Sequence, residues 1–131
     1  MIVWLKKCEG FKSHPYLDTS GIVTIGYGRN LDDNGISEDE ADILLRNDLN
    51  EAYQSMGEFP WFNEQPDDIQ AALINMSFNM GITRLKGFTK MLAAIEKRDY
   101  ATASMEALNS AWALEVGQRA KDIAVMIREA E

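Results

Sequence analysis

The sequence predicts an α+β fold, mainly α, with a small N-terminal β-hairpin lobe, one long helix and a C-terminal helical lobe. Three observations carry that prediction. The stretch "YLDTSGIVTIGYG" (16–28) joins turn residues to β-branched and aromatic ones, the composition of a hairpin. Ser37 and Glu40 form the S-x-x-E pattern of a capping box, ahead of a long amphipathic run. Beyond Pro66 the apolar residues recur at helical spacing through residue 129.

The elements follow in order. Residues 2 to 8 read as a short helix with Trp4, Leu5 and Cys8 on one side, and Gly10, just after Glu9, is where a stop is expected. Asp18-Thr19-Ser20-Gly21 is turn chemistry, and Ile22 to Tyr27 supplies the second strand. "RNLDDNG" reads as a loop. The helix started at Ser37 runs to about Met56, with Ala41, Leu45, Leu49, Ala52 and Met56 on its apolar stripe and acidic residues opposite. Residues 57 to 66 form a linker carrying Trp61 and Phe62. Pro66-Asp67-Asp68 then opens a helix in which Leu73, Ile74, Met76, Phe78 and Met80 leave little polar face, so a central, buried position is expected. Gly81 ends it. Phe88, Met91, Leu92 and Ile95 mark another helix, Tyr100, Ala103, Ala107 and Leu108 one more, and residues 117 to 129, after Trp112, a last amphipathic one. A single domain over 1–131 is expected, divided into a helix and β-lobe (1–36), an inter-lobe helix (37–57) and a helical lobe (58–131).

Composition excludes several function classes. At 131 residues, with 46% hydrophobic and 26% charged, the chain can bury a core as one domain. Cys8 is the only cysteine, which leaves no disulfide framework and no thiolate metal cluster. Without a histidine partner it is expected to be a buried structural thiol. "MIVWL" stops at Lys6-Lys7, too short for a signal-peptide core or a membrane span, so no signal peptide and no membrane insertion are expected. The net charge is −8, and residues 1 to 60 hold five basic against eleven acidic side chains. No basic face exists for nucleic-acid phosphates, and an anionic polymer would be disfavoured at long range. Asn30, Asp32, Asn34 and Gly35 match the start of an EF-hand loop, but Ala41 stands where its bidentate Glu belongs, so this run is better read as a turn than as a calcium site. His14, the only histidine, is a surface residue by default. No metal and no cofactor are expected, and the chain is expected to be a monomer.

The residues that could do chemistry lie between Cys8 and Gly28. Glu9 closes a helix, where the negative end of the macrodipole opposes ionisation, and packing against the apolar side of that helix would add desolvation. A carboxyl kept neutral in this way can protonate a leaving group. Asp18 opens a polar turn in which amides and solvent can keep it ionised. Thr24 can donate and accept, and so hold a water beside Asp18. Two carboxyls with opposite tasks are what glycoside hydrolysis requires. Spacing alone leaves the plain alternative open: a hairpin turn with a capping Asp and an ordinary strand Thr.

"CEGFKSHPYLDTSGIVTIGYG" resembles the active-site segment of the phage-type (T4-like) lysozymes, in which a helix ending in Glu-Gly precedes Y-x-D-[TS]-x-G-x-x-T-I-G-x-G. Glu9-Gly10, Tyr16, Asp18-Thr19, Gly21, Thr24-Ile25-Gly26 and Gly28 fall in register with it. The resemblance continues through "NGISEDEADILLRNDL" (the family's inter-lobe helix), "ALINMSFNMGITRLKGFTKM" (its central helix and following turn), "AW" at 111–112 and "GQRAKDI" at 117–123. It implies a lysozyme-like fold and hydrolysis of the β-1,4 bond between N-acetylmuramic acid and N-acetylglucosamine in bacterial peptidoglycan, with inversion. By the same resemblance Glu9 is the general acid, Asp18 the carboxylate acting at the far face of the sugar, and Thr24 a holder of the attacking water. Arg119 would lie near Glu9, and Leu31, Phe78, Asn79, Phe88 and Met91 would contact the saccharide. Phe78 and Phe88 could equally be core residues, and Arg119 a surface cation.

The chain departs from the family in three ways. The segment between T-I-G-x-G and the long helix is abbreviated, so a reduced β-lobe is expected. Arg29 stands where the family commonly has a His in an ion pair, a task Arg can also perform. Many members are basic, whereas this chain is acidic. The implied setting is the host cytoplasm before release, with action on the bacterial cell wall during host-cell lysis. The rival readings are a lytic transglycosylase, which has no need of the Asp18–Thr24 pair, and a catalytically silent wall-binding phage component.

Overall fold

Gly10 ends the first helix where the sequence places a stop: its φ is +69°, and its N–H donates to the Lys6 carbonyl at 2.9 Å. The computed structural model describes residues 1–130. Helix α1 (Ile2–Glu9) leads into strand β1 (Lys12–Leu17). Strands β2 (Val23–Gly26) and β3 (Arg29–Asn30) complete an antiparallel sheet in the order β1-β2-β3. Tyr16 pairs with Thr24, and Thr24 with Asn30, so Thr24 is central in the sheet. The sequence led to a hairpin; the third strand is two residues long and carries no alternation that could have announced it.

The "RNLDDNG" stretch is more ordered than the loop expected of it. Leu31–Asn34 form a single helical turn, α2, capped by Asn30, whose Oδ1 accepts from the Asp33 N–H at 2.9 Å. Asp32 accepts the Val23 N–H at 2.9 Å, which ties α2 to β2. The capping box forms as the sequence requires. Glu40 N–H donates to Ser37 Oγ at 3.1 Å, and Ser37 N–H to Glu40 Oε1 at 2.9 Å, at the head of α3 (Glu38–Ser55). Arg29 pairs with Glu40 and donates to the Gly35 carbonyl at 3.0 Å, so it does make an ion pair.

The chain forms two compact units, Met1–Leu44 and the remainder from Leu45 onward, with α3 running through the boundary. In the second, two 3₁₀ turns (Met56–Glu58 and Phe62–Glu64) lead to α4 (Asp67–Met80) and the short α5 (Ile82–Lys86). Helices α6 (Thr89–Glu96), α7 (Tyr100–Leu108), α8 (Ala111–Val116) and α9 (Gln118–Arg128) follow. Its core joins Ile69, Leu73 and Met76 of α4 to Leu85, Ile95, Trp112, Ile123 and Ile127. Asp99 caps α7 and Ser110 caps α8 through their side-chain oxygens.

Two expectations are corrected here. Helix α4 is not buried all round: it buries Ile69, Ala72, Leu73, Met76 and Ser77, one stripe at helical spacing, and leaves Phe78 39% exposed. Cys8 is exposed, because α1 buries none of its residues within its own unit. Of the α3 stripe, Ala52 and Met56 are buried, whereas Leu45 and Leu49 are half-exposed.

Candidate active site

Each of the three residues expected to do chemistry is placed by the first unit's own local structure. Glu9 is the last residue of α1. Gly10 turns the chain immediately after it, and β1 carries the chain away. The apolar residues of α1 do not enclose it, since Glu9 and the rest of that helix are exposed. What its carboxyl does approach is the backbone of Gly28, in the turn between β2 and β3.

Asp18 organises the turn between β1 and β2. Its Oδ1 accepts from the Ser20 N–H at 2.8 Å and the Ile22 N–H at 2.9 Å. Its own N–H donates to the Ile22 carbonyl, and its carbonyl accepts from Gly21 N–H, both at 2.9 Å. An Asp whose side chain bonds amides two and four residues on fixes a turn without a backbone partner for each donor. Among the described residues its Oδ2 accepts no hydrogen bond.

Thr24 is the one residue of the first unit that is buried, 4% exposed. Its hydroxyl donates to the Ile22 carbonyl at 2.9 Å. Ile22 is thereby shared: its carbonyl receives Asp18 N–H and Thr24 O–H, and its N–H goes to the Asp18 carboxylate. Asp18 and Thr24 are brought together through one peptide. The sequence presented Thr24 as donor and acceptor; the structure commits its proton to Ile22 and leaves its lone pairs to accept.

Leu31, the first residue of α2, is partly buried in the same unit. The other expected saccharide contacts lie in the second unit and do not share one environment. Phe78 is exposed near the end of α4 beside a pocket lined by Asp48, Glu51, Ser55, Ser77 and Ile82. Asn79 accepts the Trp112 indole N–H at 2.7 Å, and Phe88 meets the Trp112 ring edge-to-face at 6.1 Å. Both therefore hold the buried Trp112. Phe88 and Met91 also border a second pocket with Lys90, Glu106, Asn109 and Ser110, although Met91 is only 1% exposed. Arg119, the second residue of α9, is exposed and makes no ion pair among the described residues.

Sequence reasoning did not single out Gly28 beneath the acid, or Asn109 and Ser110 in the Phe88 pocket. For Gly28 the G-x-G pattern was a signal that glycine is needed, but not of which atom needs the room. No group of three or more His, Cys, Asp or Glu able to hold a metal ion occurs among the described residues.

The family model described as phage lysozyme matches residues 6–131. A probable T4-type lysozyme 2 of Dictyostelium discoideum is 29% identical over 149 aligned positions, covering 91% of this chain and 88% of that protein. A probable T4-type lysozyme 1 of the same organism is 31% identical over 138 positions, covering 82% of this chain and 81% of its own. The chain belongs to the phage lysozyme family, whose members are glycoside hydrolases of peptidoglycan.

Proposed function

We propose that the protein hydrolyses the β-1,4 bond between N-acetylmuramic acid and N-acetylglucosamine in bacterial peptidoglycan, with Glu9, Asp18 and Thr24 as its catalytic residues. Glu9 is the general acid that protonates the departing glycosidic oxygen. Asp18 and Thr24 receive the two protons of one water, so that its lone pair faces the anomeric carbon. The observation that carries this reading is the sharing of Ile22. Because the Thr24 proton is already given to the Ile22 carbonyl, a water beside it can only donate to Oγ1. The free Oδ2 of Asp18 is the second acceptor, and takes a proton as the bond to carbon forms. Inversion follows from attack opposite the leaving group.

Leu31, Phe78, Asn79, Phe88 and Arg119 complete the proposal as saccharide contacts; Met91, expected among them, is a core residue instead, packed with the apolar cluster of its unit. Phe78 is the best suited to that task by exposure, with an aromatic face open to the apolar face of a sugar ring. The setting we propose is lysis of the bacterial cell from within, which needs no cofactor.

The test is product analysis on purified peptidoglycan by mass spectrometry, for the wild type and Glu9→Gln. Reducing N-acetylmuramic acid ends are expected from the wild type. Glu9→Gln should lose at least about 100-fold in rate while keeping its unfolding temperature. Thr24→Ser should retain most activity, since the hydroxyl survives, and Thr24→Ala should lose less than Glu9→Gln. Anhydro ends would instead make the protein a transglycosylase, and no fragments from a folded protein would make it a wall-binding component.

A further inference from the structure

The last turn of α1 rests on the turn between β2 and β3 at two points. Lys6 Nζ stands 5.2 Å over the centre of the Tyr27 ring, which the Phe11 ring meets from another side at 5.5 Å. Next to Tyr27, a Cβ added at Gly28 would stand 2.6 Å from Glu9 Oε2, 3.1 Å from its Cδ and 3.6 Å from its Cγ. The carboxyl therefore occupies the volume that any side chain at position 28 would need.

Gly26 provides the contrast. Its φ of +68° is close to the +76° of Gly28, so both positions disfavour an L side chain by backbone conformation. Around a Cβ at Gly26, however, nothing lies within 4 Å. The two glycines share a backbone requirement, and only Gly28 also makes room for the acid.

We propose that Gly28 is a positioning residue for Glu9: its missing side chain is the seat of the carboxyl, and a methyl group there moves the acid away from the leaving oxygen. The proposal rests on the reading of Glu9 as general acid. Carbon and oxygen cannot remain 2.6 Å apart without a bond between them. The Glu9 side chain turns on three single bonds, whereas the Gly28 backbone is held by the turn and by Tyr27, so the carboxyl is the part that yields. A misplacement of about 1 Å at a reacting group costs on the order of 100-fold in rate.

The experiment compares Gly28→Ala with Gly26→Ala in two measurements. One is kcat and KM on purified peptidoglycan. The other is the carboxyl resonance of Glu9 in protein labelled with ¹³C-glutamate, identified by its disappearance in Glu9→Gln. Gly28→Ala should shift the Glu9 resonance and lower kcat about 100-fold with KM within a few-fold. Gly26→Ala should leave that resonance in place and stay within a few-fold of wild-type kcat. An unmoved resonance in Gly28→Ala, with kcat no lower than in Gly26→Ala, would overturn the positioning role and leave Glu9 as the acid. A moved resonance with wild-type kcat would overturn both. Should Gly28→Ala fail to fold, the same change is made in Glu9→Ala. Recovery of folding there supports the seat, and failure there overturns it, because backbone conformation alone would then rule the position.

Discussion

The two units of this chain are held together by different physics. Within Met1–Leu44 a single residue, Thr24, is buried, and the structure is fastened by side chains bonded to backbone: Asp18 to Ser20 and Ile22, Asp32 to Val23, Asn30 to Asp33, Ser37 to Glu40, Arg29 to Gly35. From Leu45 onward a continuous apolar core runs through α4, α6, α7 and α9 around Trp112. The first unit offers little apolar area for burial to act on, and each of its polar fastenings contributes about 1 kcal/mol. The second draws its stability from burial, where one large side chain is worth several times that. The lesson is a division of labour. The catalytic residues we propose sit where positions are fixed by hydrogen bonds of defined direction, and the unit that supplies bulk stability carries none of the three.

That contrast can be broken by substitution. Leu73→Ala, at a fully buried position on α4, should cost about 2–5 kcal/mol in chemical unfolding. A cost under about 1 kcal/mol would mean that the second unit is not held by its core. Ser37→Ala removes one half of the capping box and should cost about 1 kcal/mol, read as the loss of amide-exchange protection at the head of α3. Protection unchanged there would show that the polar fastenings are not what orders the first unit.

The third prediction concerns acid. Ser37 first, by amide and hydroxyl, and Arg29 second hold the Glu40 carboxyl below the usual carboxylate range. A carboxylate depressed on folding stabilises above its unfolded pKa, and that contribution is lost as pH falls through the folded value. The head of α3 should therefore loosen in mild acid, below about pH 4.5. In Glu40→Gln that part of the pH dependence should vanish; an unchanged acid profile would remove Glu40 from the account. The smallest effect is electrostatic. With a net charge of −8 against an anionic wall, moderate salt should raise the rate of wall digestion by screening repulsion. A rate that falls with salt would point to a local cationic surface that dominates the encounter.

Much of this was legible because it is local. The stop at Gly10, the capping box at Ser37 and the turn opened by Asp18 are all settled by residues two to four positions apart, and sequence displays such relations directly. The short α2, α5 and α8 were missed, since a helix of one or two turns leaves too few residues for a period to show. The stripe on α4 was misjudged for a different reason. Apolar residues lie all round that helix, and which of them face the core depends on helices that follow much later in the chain.

By itself, then, the sequence determined the longer elements, the stop at Gly10, the capping box at Ser37, the turn at Asp18, and the family motif that holds the proposed Glu9, Asp18 and Thr24. Tertiary structure alone decided that Glu9 lies against Gly28, nineteen positions away. It also decided that Thr24 is buried between two strands with its proton committed to Ile22, and that Asn79 and Phe88 both brace Trp112. The physical reason is range. Helix and turn propensities act through neighbours along the backbone, whereas the seat of a carboxyl or the partner of an indole is fixed by packing between residues that only the fold brings together.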